Sequence, residues 1–329
     1  MSETFLQRWV QKLSNKAQSF DTRPVQVFAG AFGKHPAWND HVPDLGLQHP
    51  TLVDFKRAIY EGITGNVDNG QWDKLQQSKK LAPFGHTLLH RFSGGAVLGR
   101  LWYSQDGKGR DAYPMVIVLL WLGATSDEAF KEILVFLPKV QMSCQEATSH
   151  EQVMNALNTL QSFAAEQTTK QPSAAPKSIT QMNSIPRLID NPQLGPDHQG
   201  MFRILYHIER ELLINLSPAD IPLKAKLDPN HIAAVRVPLC AKTPTHAARN
   251  WIKFLNAGMG LPGPLLALAP DHGGWLDLVI GQPGTPQLYC LRAATETIPF
   301  TTEIPYTLEP EFVDRARLVM AKCKLAIPA

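Results

Sequence analysis

Apolar residues recur at spacings of three and four across Phe5, Leu6, Trp9, Val10, Leu13, Ala17 and Phe20. Arg8, Lys12 and Lys16 fall on the opposite side, so the pattern predicts a basic amphipathic helix over residues 5–20. Such a helix either packs on its own domain or makes peripheral contact with a membrane surface or a partner. Pro24 stops it, and Val25, Val27 and Phe28 begin a strand that runs into Gly30-Ala31-Phe32-Gly33. A loop rich in Gly and Pro follows to Pro50. Leu52, Phe55, Ile59 and Tyr60 then return to helical spacing, with a stop expected near Gly62. A short helix is expected around Trp72–Leu75, and strands over Thr87–Phe92, Ala96–Tyr103 and Tyr113–Leu122. The Asp106-Gly107 step between the last two is a strong hairpin-turn signal. Ala129, Ile133, Phe136 and Leu137 mark a further helix, capped by Ser126.

From Ala164 to Ser184 the chain turns to Gln, Thr, Ser, Ala, Pro and Lys, which reads as a linker or an exposed excursion. Beyond it the periods predict a helix over Met201–Leu216, a strand over Ile232–Leu239 and a helix over Pro244–Asn256. Three short strands follow at Leu265–Ala269, Trp275–Ile280 and Gln287–Leu291, then a last helix near Glu309–Lys322. The organisation expected is an α/β domain over residues 1–163, a linker over 164–184 and a second α/β module over 185–329. The fold class expected is α/β in the α+β sense, with a mainly antiparallel sheet flanked by helices. A strand followed by a helix occurs in both halves, as two related modules would have it, though residue identity between them is negligible.

Composition narrows the function classes. Of 329 residues 44% are hydrophobic, and the longest apolar run, Met115–Leu122, is far short of the roughly 20 residues that span a bilayer. No apolar N-terminal core with a small-residue cleavage site is present, so a cytoplasmic location is expected. Lys plus Arg number 32 against 29 Asp plus Glu, without the concentrated basic field of a nucleic-acid binder. Cys144, Cys240, Cys290 and Cys323 are too far apart for a zinc knuckle or a redox dithiol, and read as reduced, buried thiols.

Enzyme motifs mostly fail. Neither a phosphate-binding G-x-x-x-x-G-K-[ST] loop nor a G-x-S-x-G elbow is present, and Gly94-Gly95-Gly99 lacks the strand-to-helix context of a dinucleotide site. Histidines offer the best enzyme reading: a metal-dependent hydrolase would draw its ligands from His35, Asp40, His41, His86 and His90. Against it, His86 and His90 share a strand, where positions four apart lie about 13 Å from each other. Asp271-His272-Gly273-Gly274 is similar to the acidic turn of metal-dependent Ser/Thr phosphatases. Those enzymes need several further spaced aspartates, and only Asp277 follows here, so a hairpin turn is the expectation. No cofactor is expected.

Two clusters remain. Gly30-Ala31-Phe32-Gly33-Lys34-His35-Pro36 precedes Asn39-Asp40-His41-Val42, and Ser104, Asp106, Gly109 and Arg110 precede Tyr113-Pro114 and the run from Met115 to Leu120. In order and spacing this resembles the TagF (ImpM) family of type VI secretion accessory proteins. That family has a G-x-x-G-K-x-P turn, then G-D-F-V, then S-x-D-x-x-G-R, an aromatic–proline pair and an apolar strand. The likeness covers about residues 25–165. Asn39 and His41 replace the usual glycine and phenylalanine, and Tyr103 stands where proline commonly precedes the serine. The resemblance implies a bacterial regulator without catalytic residues of its own in this domain. Such a regulator controls secretion assembly post-translationally by engaging a forkhead-associated scaffold protein. Some members are joined to a phosphatase, whose pattern the second half here does not carry.

The residues also have a reading of their own. Gly30 and Gly33 permit tight turns, Pro36 fixes the loop exit, and Asp106 can accept backbone N–H groups. Lys34 is a candidate partner for Asp106, and Asp40 for Arg110. Gly30, Gly33, Lys34, Pro36, Asp40, Ser104, Asp106, Gly109, Arg110 and Pro114 then either lace two loops together or present a polar surface to a protein partner.

Overall fold

The structure is a computed structural model. It describes residues 24–68, 84–92, 94–111, 113–123, 127–170, 184–213, 232–259, 264–281, 283, 287–288 and 299–325. The helices expected over 5–20 and 72–75, and the Ser126 cap, lie outside the described residues.

The elements in chain order are β1 (Gln26–Phe32), α1 (Pro50–Asp68), β2 (Gly85–Phe92), β3 (Gly95–Trp102), β4 (Met115–Leu122), α2 (Asp127–Glu146) and α3 (His150–Thr169). They continue with α4 (Ser184–Ile189), α5 (Gln199–Leu213), β5 (Ala233–Pro238), α6 (Pro244–Met259), β6 (Leu265–Pro270), β7 (Trp275–Ile280) and α7 (Pro310–Leu325). One seven-stranded sheet runs in the order β1-β4-β3-β2-β6-β7-β5, and every neighbouring pair is antiparallel. The fold is an open antiparallel sheet flanked by helices. Strand β2 is the seam: Leu89 pairs with Leu98 of β3 on one side and with Ala267 of β6 on the other.

The unbroken apolar run of β4 follows from its place. It is covered on both faces, and Met115 to Trp121 are all buried. Ile117 and Leu119 enter the larger core with α2, α3 and the helices of the second half, while Val116, Val118 and Leu120 point the other way, towards Leu52, Phe55 and Ile59 of α1. Both halves trace one path: a strand, a helix, then hairpin strands of which the last returns beside the first. In β1-α1-β2-β3-β4 that last strand is β4, and in β5-α6-β6-β7 it is β7.

Both sheet edges are capped. On β1, the Val27 N–H donates to Thr168 Oγ1 at 2.9 Å, and Ala31 exchanges two backbone bonds with Leu45. On β5, the Arg236 N–H donates to Thr301 Oγ1 at 3.1 Å. Among the described residues, no helix is long and apolar enough to cross a membrane.

Four elements differ from expectation. Helix α1 passes Gly62 and ends at Asp68. Helix α2 runs straight through Pro138 to Glu146, because Val140 and Cys144 are still buried and tertiary packing outweighs the lost N–H. Helix α3 occupies His150–Thr169, so its last residues lie inside the stretch expected to be linker, where Ala164 and Gln167 are buried. Gln287 and Leu288 form a tight 3-10 turn and no strand, since Leu288 is spent covering the second core cluster; Tyr289–Leu291 are outside the described residues.

Candidate functional site

Strand β1 delivers the chain into a turn that can be made only by glycine. Gly33 has φ 121°, and a Cβ there would stand 2.0 Å from the Pro114 carbonyl oxygen. The Gly33 carbonyl accepts the Val42 N–H at 2.8 Å, which folds the loop back on itself. Two loops therefore meet at this point, 33–46 after β1 and 103–114 between β3 and β4. Replacing Gly33 by alanine is expected to cost about 2–3 kcal/mol, from the disallowed φ and the displaced backbone, read as a lower urea midpoint.

Asp106 is the tie between the loops. Its side chain is wholly buried. Oδ1 accepts the Lys108 and Arg110 N–H groups at 3.0 Å each, while Oδ2 accepts the Lys34 ammonium at 3.0 Å and the Arg110 Nε–H at 2.7 Å. Gly109, at φ 76°, closes the same turn by donating to the Asp106 carbonyl. Burial alone would raise the Asp106 carboxyl, but the Arg110 N–H, the Lys34 ammonium and the Arg110 guanidinium outweigh it and hold the pKa well below the usual carboxylate range. The cross-ties continue outward. Lys34 Nζ also donates to the Arg110 carbonyl at 3.2 Å, Arg110 Nη2 to the Asn39 carbonyl at 2.7 Å, and the Gly107 N–H to the Trp38 carbonyl at 2.6 Å. Arg110 Nη2 lies 3.6 Å from Asp40 Oδ1.

The site residues sort by depth. Gly33, Lys34, Asp106, Ser104 and Pro114 are buried, and Gly30 lies under Leu47 and Leu52. Pro36, Asn39, Asp40, Lys108, Gly109 and Arg110 are exposed, with the Asp40 side chain 73% and the Arg110 side chain 52% accessible. Beside them Tyr60, Tyr113 and His41 pack ring against ring, with centroids 4.7–5.8 Å apart. The His41 hydrogen bond to Asp40 lowers the Asp40 pKa.

The histidines are placed apart. His35 is buried, its Nδ1 accepting the Ala37 N–H at 3.1 Å and its Nε2–H donating to the Cys144 carbonyl of α2 at 2.8 Å. Both ring nitrogens are thus engaged, the tautomer is set, and burial lowers the pKa. His41 turns outward to Asp40, whereas His86 and His90 sit in β2 among the aromatic rings of Phe84, Phe55 and Phe92. Among the described residues, no three His, Cys, Asp or Glu side chains are gathered to hold a metal ion.

Two buried arginines escaped the sequence reading. Arg100 of β3 reaches Thr87 of β2, Gln141 Oε1 of α2 at 2.6 Å and Asp271 Oδ2 at 2.5 Å, just past β6. Arg236 of β5 makes a bidentate pair with Asp277 of β7, 2.8 Å at each bond, over the Trp275 ring. The available signal was a lone cation inside an apolar strand, which calls for a buried counter-charge. Asp271 and Asp277, weighed for a phosphatase, supply it.

No family model matches the chain, and no curated protein matches it. Among solved structures it is similar to the crystal structure of PA0076 from Pseudomonas aeruginosa PAO1, at 18% identity and a TM-score of 0.30. The match covers 44% of this chain and 64% of that one, less than two thirds of its length. A superposition of that quality assigns no role to any residue.

Proposed function

We propose that this chain is a non-enzymatic cytoplasmic regulator or adaptor that binds a protein partner with the paired loops 33–46 and 103–114. On the TagF resemblance, the partner is a forkhead-associated scaffold protein of type VI secretion, or another component of that machine. Control is by mass action: a scaffold held by this chain is withheld from assembly.

The observation that supports the reading is the buried Asp106 tie. It holds two loops in one shape, while their tips put Asp40, Arg110, Lys108 and half-buried Trp38 at the surface. A rigid rim of charge and aromatic surface loses little conformational entropy on binding, which is what a docking surface requires.

The test is affinity purification of the tagged protein from its native host, beside the Asp40→Ala/Arg110→Ala double variant. Wild-type protein is expected to retain a scaffold or secretion component, and the folded double variant to lose at least tenfold of it. Equal recovery by both would remove the loops from the interface; recovery of an unrelated assembly would discard the secretion role.

A further inference from the structure

We propose that the second half of the chain sets the shape of the docking loops through a lever formed by the last two turns of α2, with Arg100 as its positioning residue. The purpose assigned to the lever rests on the proposed function; the mechanical claim does not.

The path is continuous. Asp271 follows β6 and is locked against the start of β2, where its N–H donates to the Gly85 carbonyl at 2.8 Å. Gly85 itself makes the room, since a Cβ there would stand 2.2 Å from Asp271 Oδ2. That carboxylate accepts from Arg100 Nη2, and Arg100 Nε donates to Gln141 Oε1 on α2. One turn further along α2, the Cys144 carbonyl holds the His35 ring, which stands in the first docking loop. Arg100, Gln141, Cys144 and His35 are buried, and Asp271 is partly so.

The lever also has a hinge. Pro138 lies one turn before Gln141 and cannot donate to the Leu134 carbonyl, so the helix is weakest between the part packed by Phe130 and Ile133 and the part carrying Gln141 and Cys144. A small cavity lined by Leu134, Leu137, Pro138, Thr87, Arg100 and Ala248 lies beside this point. Finally, Arg100 shares its sheet face with Leu98 and Trp102, where an apolar side chain would serve packing without the cost of burying a guanidinium. A charge kept there, bonded to three separate elements, fixes their relative position.

Hydrogen exchange on the 329-residue chain, alone in solution, tests the lever without any partner. In Asp271→Asn, the amides of Trp38 and Val42, which donate to His35 and Gly33, are expected to exchange at least fivefold faster, while Val118 and Leu119 of β4 keep their wild-type rates. Gln141→Met cuts the same path inside the first half and is expected to reproduce the pattern, which covers the case of an unfolded Asp271 variant. Unchanged loop amides in the folded variants would overturn the proposal. So would a rise in β4 matching that in the loops, because a merely structural Arg100 would loosen the whole sheet together. Loops that respond as expected but capture no partner would sink the docking function and leave the lever standing.

Discussion

Replacing Asp277 by alanine is expected to lower stability by about 3–5 kcal/mol, the cost of taking a bidentate counter-charge from a buried cation. The Arg236 side chain is 2% exposed, and both of its bonds to Asp277 are 2.8 Å long. The two residues face each other across β5 and β7. If charge pairing is the reason for the loss, removing both partners should cost less than removing one. The Arg236→Met/Asp277→Leu double variant is therefore expected to recover more than half of the stability lost in Asp277→Ala. Urea unfolding of the three proteins measures this, and a double variant as weak as the single one would show packing to be the cause.

Acid is the second large lever on this fold. Burial holds the pKa of His86 down at about 4, with Arg100 and Arg236 adding to the shift and Asp271 opposing it, and burial alone brings His90 to about 4. An unfolded histidine titrates near 6.5, so the unfolded chain takes up protons between pH 6.5 and 4 that the folded chain refuses. Stability should hold above pH 6.5, fall steadily between 6.5 and 4, and stop falling on this account below 4. His86 contributes about 3 kcal/mol to that loss, and His90 less because the residue is only partly buried. His35 and His207, whose pKa values burial also lowers, add to the slope. Asp106 acts in the same sense but in a more acidic window. Its depressed pKa keeps its contribution intact above the ordinary carboxylate range and loses it only in stronger acid. Urea midpoints from pH 8 to 4 should show the decline in wild type and a shallower one in His86→Gln. Parallel curves would mean that His86 is protonated without cost.

Much of the fold was legible because its signals are local. The two-sided burial of β4 is written in eight consecutive apolar residues, and the Asp106-Gly107 and Gly273-Gly274 turns announce the hairpins they close. In the candidate site, Lys34 and Asp106, expected as partners, stand 3.0 Å apart, and Asp40 and Arg110 3.6 Å apart. Those pairs could be named because each loop carries its own turn chemistry; the closer bond from Arg110 to Asp106, at 2.7 Å, was not among them. What could not be read is non-local. Asp271 lies 171 residues from Arg100, and they meet only because β6 joins β2 in one particular register. Helix α3 was missed for another reason: Val153, Ala156, Leu157 and Leu160 do form a stripe, but between small and polar neighbours it resembles the linker that follows.

The capped edges decide what kind of recognition this sheet can support. A partner that adds a strand reads backbone, and it would accept many sequences with equal ease. Here such a partner would first have to displace Thr168 and Leu45 from β1, or Thr301 from β5. Binding is thereby pushed onto side chains at the loop tips, where identity counts at every position. Exchanging a few exposed residues such as Asn39, Asp40 and Lys108 could then redirect the protein to a new target while the scaffold beneath stays as it is.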